Sequence, residues 1–203
     1  IWLIGGAIPI QASSADRLYN TCFVYAPDGR CVASYDKIHL FRFKNQDAAY
    51  DETQTFEAGS RVVEVDMPFA RVGLSICYDI RFPEMYRSMQ SPDLIVLPAA
   101  FTQTTGQAHW EILLRARAIE NQCYVLAAAL TGVHPDGRCT FGHSMMVDPW
   151  GKVVASLTTE ENAILMGRMS HMRIRAVRRM LPALDNRLNM AFLGNPGLTG
   201  NVN

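Results

Sequence analysis

The sequence predicts an α/β fold, and three observations carry that expectation. Strand-like and helical stretches alternate along the chain; residues 72–101 run strand, helix, strand in the manner of a βαβ unit; and neither a repeat nor a low-complexity tract interrupts them. With 49% hydrophobic content over 203 residues, the chain can bury the core of one domain. Its 19 basic and 19 acidic side chains cancel, which argues against nucleic acid or an anionic membrane surface as partner and for a small molecule. No apolar run reaches the ~18 to 20 residues of a membrane span, and residues 1–10 lack the charged lead of a signal peptide, so a cytoplasmic setting is expected.

Taken in order, Ile1-Trp2-Leu3-Ile4-Gly5-Gly6-Ala7-Ile8-Pro9-Ile10 opens at once as a buried strand, without methionine, cap or polar lead, as though the chain were cut into. A polar loop at residues 13–16 leads to an alternating strand at 19–26. Pro27-Asp28-Gly29-Arg30 is a turn signal, and the strand resumes at 31–35, which makes a β-hairpin. Lys37 follows it among apolar neighbours, where an exposed strand-end lysine is the ordinary reading. Residues 41–60 show no periodicity and read as a long loop holding Asp47, Asp51, Glu52 and Glu57. Loops of that length are often functional, although each acid taken alone reads as a solvated charge.

Residues 61–65 and 70–77 form the next strand pair. Val72, Leu74 and Ile76 alternate with Gly73 and Ser75 up to Cys77, and Arg81-Phe82-Pro83-Glu84 then opens a helix at 84–89 with proline near its first position. A sharp strand-to-helix turn can hold a nucleophile out of the sheet beside a backbone N–H that binds an oxyanion. The alternative for Cys77 is a small buried hydrophobe. Residues 93–101 form an apolar strand whose polar continuation, 102–106, should lie at the same sheet edge as Cys77. A helix follows at 107–121, with Trp110, Leu113, Leu114, Ala118 and Ile119 on one face and a Glu111–Arg115 pair on the other.

Residues 123–130 are another apolar strand, in which Cys123 is a core thiol. Asp148-Pro149-Trp150-Gly151 joins a second hairpin, 142–147 with 152–157, and residues 162–169 read as a further strand. A helix at 171–180 carries Arg173, Arg175, Arg178 and Arg179, read as a solvated or dimer-contacting face. Residues 194–203 look irregular. The five cysteines, Cys22, Cys31, Cys77, Cys123 and Cys139, are odd in number and lack a CxxC, which suits reduced thiols. Cys123, His134, Cys139 and His143 lack the close ligand pair of a structural zinc site.

Two of these stretches resemble the nitrilase, or carbon-nitrogen hydrolase, superfamily. Tyr35-Asp36-Lys37-Ile38-His39-Leu40-Phe41 is similar to its lysine motif, and Gly73-Leu74-Ser75-Ile76-Cys77-Tyr78-Asp79-Ile80-Arg81-Phe82-Pro83-Glu84 to its cysteine motif. The likeness runs to about Leu188, giving a hydrolase domain over 1–188 and an irregular tail over 189–203. Leu97-Pro98-Ala99-Ala100-Phe101, the segments 105–111 and 114–125, and Gly142-His143-Ser144-Met145-Met146-Val147-Asp148-Pro149-Trp150-Gly151 look most like the branch of deaminated glutathione amidases, with ω-amidases acting on α-ketoglutaramate close by.

The resemblance implies a four-layer α-β-β-α sandwich, paired into a homodimer, that needs no metal or organic cofactor. It implies that Cys77 is the nucleophile, Lys37 the cation at the oxyanion, and Glu52 the acid that orients the lysine and the attacking water. The Tyr78 backbone N–H is expected as second oxyanion donor, and the nearby ammonium should lower the thiol pKa. Arg81 is a candidate for a substrate carboxylate, with a structural pair to Glu84 or Asp79 as the alternative. Phe101, Thr102 and Thr105 are candidate pocket walls, and Trp110 is core.

One feature departs from the pattern. The family carries a general-base glutamate well upstream of the lysine, yet residues 1–36 contain no Glu, and Asp16 and Asp28 sit in loop and turn contexts. Either a first strand, helix and glutamate precede Ile1, which the abrupt start favours, or the chain is a decayed relative that binds without turnover. The expected reaction is hydrolysis of a small amide, best matched by deaminated glutathione, with α-ketoglutaramate as the alternative substrate.

Overall fold

The computed structural model describes residues 1–44, 49–135, 137–158 and 163–188, which build two β-sheets on a shared apolar core. The first sheet is organised on β3 (Leu18–Tyr25). The predicted hairpin supplies its antiparallel neighbour β4 (Cys31–Asp36), and the opposite edge is lined by β1 (Leu3–Ile4) and β2 (Ile8–Gln11). The single strand expected over residues 1–10 is therefore two, broken where Gly6 takes a φ of 74° that side-chain-bearing residues rarely adopt.

The second sheet has the order β14-β13-β10-β9-β8-β7, formed by β7 (Glu64–Met67), β8 (Ala70–Leu74), β9 (Leu94–Ala99), β10 (Tyr124–Ala129), β13 (Met145–Val147) and β14 (Val153–Ser156). β8, β9 and β10 run parallel, as the βαβ reading required. Ile95, Val96 and Leu97 are all buried, the continuous apolar run of a central strand covered on both faces. Between β8 and β9 lie a 3₁₀ turn, Cys77–Arg81, and the helix α1 (Pro83–Ser88), with proline at its first position.

Helix α2 (Gln103–Asn121) begins four residues before the sequence reading placed it, because Thr102 ends the strand run and caps the helix, its side chain accepting from the Thr105 N–H. The segment 102–106, expected at the sheet edge of Cys77, is the start of this helix. Trp110, Leu114 and Ala118 are buried in the core, whereas Ile119, assigned to the same face, is 47% exposed. The Glu111–Arg115 pair forms on the solvent side at 3.2 Å.

Residues 41–60 are not a featureless loop. They form a hairpin, β5 (Arg42–Lys44) with β6 (Ala49–Asp51), and a 3₁₀ turn at Glu52–Gln54 capped by the Asp51 carboxylate; Asp47 lies outside the described residues. A second unforeseen hairpin, β11 (Thr131–Val133) with β12 (Cys139–Phe141), follows β10. Residues 163–169, read as strand, carry no ladder; Leu165 and Met169 pack on Tyr124, Met146 and Ile174 instead. Helix α3 (His171–Met180) matches its predicted bounds, but its arginines are not all solvated: Arg173 binds the buried Asp148 at 2.9 Å and Arg178 donates to the Pro92 carbonyl. The tail 189–203 lies outside the described residues.

Candidate active site

Cys77 stands on the turn that leaves β8. Ile76 before it is still extended, and Cys77 itself adopts a φ of 50°, a left-handed conformation that is costly for a residue with a Cβ and that lifts the side chain away from the strand direction. Asp79 holds this turn. Its fully buried carboxylate accepts from the Ile76 N–H at 2.8 Å and the Tyr35 hydroxyl at 2.7 Å, and it meets the His39 backbone N–H at 3.1 Å and the His39 ring at 2.8 Å. Tyr35 and His39 flank Lys37, so one carboxylate ties the lysine segment to the cysteine turn. The His39 ring also stacks on Phe82 with centroids 3.7 Å apart.

Lys37 is only 1% exposed, the opposite of the solvated strand-end lysine that its sequence context suggested. A buried ammonium requires a partner, and Glu52 provides it at 2.5 Å. The same Glu52 oxygen accepts from the Phe41 N–H at 2.7 Å, and the Glu52 N–H donates to the Phe41 carbonyl, so the unforeseen hairpin and 3₁₀ turn fix this carboxylate in place. On the other side of Lys37, Gly59 donates to its carbonyl at 2.8 Å, and a Cβ at Gly59 would fall 2.1 Å from the Asp36 carbonyl oxygen.

Lys37, Glu52, Cys77 and Tyr78 line one cavity of about 820 Å³, together with Phe101, Thr102 and Thr105. The Tyr78 backbone N–H makes no hydrogen bond among the described residues and stands beside the sulfur at the start of the turn. The expected fall in the thiol pKa is not found. Burial pushes the Cys77 thiol up more strongly than the Lys37 charge and the Ala100 N–H pull it down. The arrangement offers a thiol, a cation paired to a carboxylate, and a peptide N–H without a partner among the described residues, all on residues that line one space.

A family profile described as carbon-nitrogen hydrolase matches residues 1–179. The chain belongs to the carbon-nitrogen hydrolase family. It is 42% identical over 194 residues to a deaminated glutathione amidase of Synechocystis sp., covering 93% of this chain and 71% of that one. It is likewise 42% identical over 185 residues to the ω-amidase NIT2 of Homo sapiens, covering 90% of this chain but 66% of the relative. Among solved structures, the NitFhit protein of C. elegans superposes with a TM-score of 0.85 at 42% identity, over 92% of this chain and 46% of that one. The fold is therefore that of the nitrilase superfamily, and the chain spans about two thirds of the length of several relatives it matches.

Within this carbon-nitrogen hydrolase fold, Arg81 is the one expected site residue that does not line the cavity. Nor does it pair with Glu84 or Asp79. Its guanidinium lies 5.3 Å from the Phe101 ring centroid and 5.9 Å from that of Tyr78, and contacts the His109 ring at 3.3 Å, while partial burial lowers its pKa. Trp110 is core as expected, its indole N–H donating to the His143 carbonyl at 2.8 Å. The sequence reading gave no role to Asp79, His39 or the β11–β12 hairpin, which adds His134, Arg138 and Thr140 to the cavity wall. A carboxylate two residues past the cysteine, in an otherwise apolar stretch, was the available signal for the first.

Proposed function

We propose that the protein hydrolyses a small amide through a thioester on Cys77. The observation that carries this reading is that Cys77, Lys37, Glu52 and Tyr78 line a single cavity large enough for a small substrate. The sulfur attacks the amide carbon, and negative charge develops on the carbonyl oxygen. The Lys37 ammonium and the Tyr78 N–H are the donors in reach of that oxygen. Collapse breaks the C–N bond, the nitrogen leaves with the thiol proton, and water then cleaves the thioester to give the acid and the free thiol. Glu52 holds the ammonium in position and orients the water.

Deaminated glutathione is the first choice of substrate, giving 2-oxoglutarate and cysteinylglycine; α-ketoglutaramate is the second, since relatives named for either activity share 42% identity with this chain. The two readings separate by product. The first predicts cysteinylglycine release without ammonia, the second ammonia from α-ketoglutaramate with the higher kcat/KM. A panel of both substrates, with Cys77→Ser as the control, tests them, and turnover by that variant sinks the mechanism.

The reading extends to a cytoplasmic homodimer. Five free thiols suit a reducing compartment, no helix among the described residues is long and apolar enough to cross a membrane, and exposed Ile112, Ile119 and Trp150 supply apolar surface for a second copy.

A further inference from the structure

Arg117 buries its charge on α2, where it is 5% exposed, and no step of the proposed reaction uses it. A buried guanidinium is retained only where its charge and its donors are met. Two groups meet this one. Nε donates to the Ile80 carbonyl at 2.8 Å and Nη1 to the Glu120 carboxylate at 2.6 Å, while the guanidinium lies over the Tyr86 ring of α1, 5.6 Å from its centroid. Glu120 is three residues on along the same helix, so it neutralises the charge and leaves Nε to reach outside α2.

What Nε reaches is the far end of the cysteine turn. In a 3₁₀ turn each carbonyl is served by the N–H three residues on, as the Phe82 N–H serves Asp79 at 3.0 Å. The residue three past Ile80 is Pro83, which has no N–H to give. The proline that opens α1 thereby orphans the Ile80 carbonyl, and Ile80 is 1% exposed, so bulk water does not reach it. Among the described residues no backbone N–H serves this carbonyl, and Arg117 does. The turn therefore has two fastenings: Asp79 fixes its entry through the Ile76 N–H, and Arg117 fixes its exit through Ile80. Between them stands Cys77 at a φ of 50°, a conformation that persists only where its surroundings over-determine it. At its start the same helix places Thr102 and Thr105 on the cavity wall, so Arg117 ties the cysteine turn to the element that builds that wall.

We infer that Arg117 is a positioning residue for the nucleophile, closing the 3₁₀ turn at Ile80 and so holding the Cys77 sulfur in register with Lys37. The inference rests on the amidase reading for the reaction it serves, and its first test is therefore a thiol measurement that needs no turnover. An arginine that only supports the fold would change stability and leave the influence of Lys37 on Cys77 intact; a positioning arginine changes that influence.

Iodoacetamide alkylation of the full-length protein across pH, read peptide by peptide, gives the midpoint of Cys77 with the exposed Cys31 as internal reference. Lys37→Met displaces the Cys77 midpoint upward, and in an Arg117→Gln background that displacement should shrink to about half or less, because the two sites are coupled through the turn. Arg173→Gln, which breaks the ion pair of α3 with the buried Asp148, should leave the displacement at full size. With α-ketoglutaramate, kcat of Arg117→Gln should fall about tenfold or more, the cost of a misplaced reacting atom, while KM moves less than about threefold. Arg117→Lys, which can serve Ile80 or Glu120 but not both, should lie between the parent and Arg117→Gln in both readouts, and it carries the test if Arg117→Gln does not fold. Full-size displacement in the Arg117 variants, equal shrinkage in Arg173→Gln, a KM effect exceeding the kcat effect, or loss of cooperative melting in both Arg117 variants each overturns the assignment. A shrunken displacement in a protein that hydrolyses neither α-ketoglutaramate nor deaminated glutathione would refute the amidase reading and leave the positioning role of Arg117 standing.

Discussion

The Cys77 thiol is harder to ionise than a free one, because removing the sulfur from water costs the anion more than Lys37 and the Ala100 N–H return. Thiolate-dependent chemistry at this position should therefore rise with pH well past neutrality. Alkylation of Cys77 by iodoacetamide, followed by mass spectrometry, should titrate above the ordinary value of 9.0, and Lys37→Met should move the midpoint higher, since the ammonium is what pulls it down; a midpoint below 8 contradicts this. The same shift has a consequence for stability. The folded thiol keeps its proton to higher pH than the unfolded one, so this contribution is complete below the unfolded pKa and fades as pH climbs through that value towards the folded one. At the oxyanion, deleting one donor typically costs about 2.7 to 4 kcal/mol of barrier, so Lys37→Ala should lower kcat by about 10² to 10³ while the protein still melts cooperatively. Loss of less than tenfold would place the ammonium away from the developing charge.

Two elements that do not adjoin in sequence must be held in register for that chemistry, and Asp79 is the tie. Asp79→Asn keeps the shape but gives up the charge that four donors address, including the His39 ring. Because the change acts through the placement of Lys37 and Cys77, we expect kcat to fall tenfold or more with KM moving less than threefold, and stability to drop by about 1 to 3 kcal/mol. A KM effect larger than the kcat effect would assign Asp79 to substrate contact instead. Gly59→Ala should act on the same element from the other side. Its Cβ strikes the Asp36 backbone, which no rotamer change can relieve, so stability and kcat should fall together in denaturant melts and kinetics. These ties mark the limit of what the sequence disclosed. Alternation and turn residues sufficed for β3, β4, the βαβ unit and α3, because each is specified by its own few residues. The lysine and cysteine motifs pointed to Lys37 and Cys77, which line one cavity, yet Lys37 read as solvated because its burial depends on Glu52, fifteen positions on and brought back by a hairpin with no local signature. The β11–β12 hairpin, the earlier start of α2 and the irregular path of 163–169 likewise follow from tertiary contacts that local pattern does not encode.

At the scale of the whole molecule, the surface of α2 bears on assembly. Ile112 is 69% exposed and Ile119, two turns on, is 47% exposed on the same helix; the turn after β13 rests on α2, with Gly151 against Ile119 and its carbonyl held by the Arg115 guanidinium at 2.9 Å, and Trp150 in that turn is 49% exposed. Large apolar side chains exposed on one helix and on the turn seated against it are expensive to leave in water and suit a self-complementary contact, in which the same helix meets its copy across a two-fold axis. Stable interfaces of this kind bury about 800 Å² per partner, so a charge in place of the most exposed isoleucine of this helix face should be enough to abolish association. Multi-angle light scattering at micromolar concentration should return twice the chain mass for the native protein and the single-chain mass for Ile112→Glu. Because Ile112 does not line the cavity, the separated chains should still bind 2-oxoglutarate. A native protein that runs as one chain, or an Ile112→Glu variant that remains paired, would move the contact to another face.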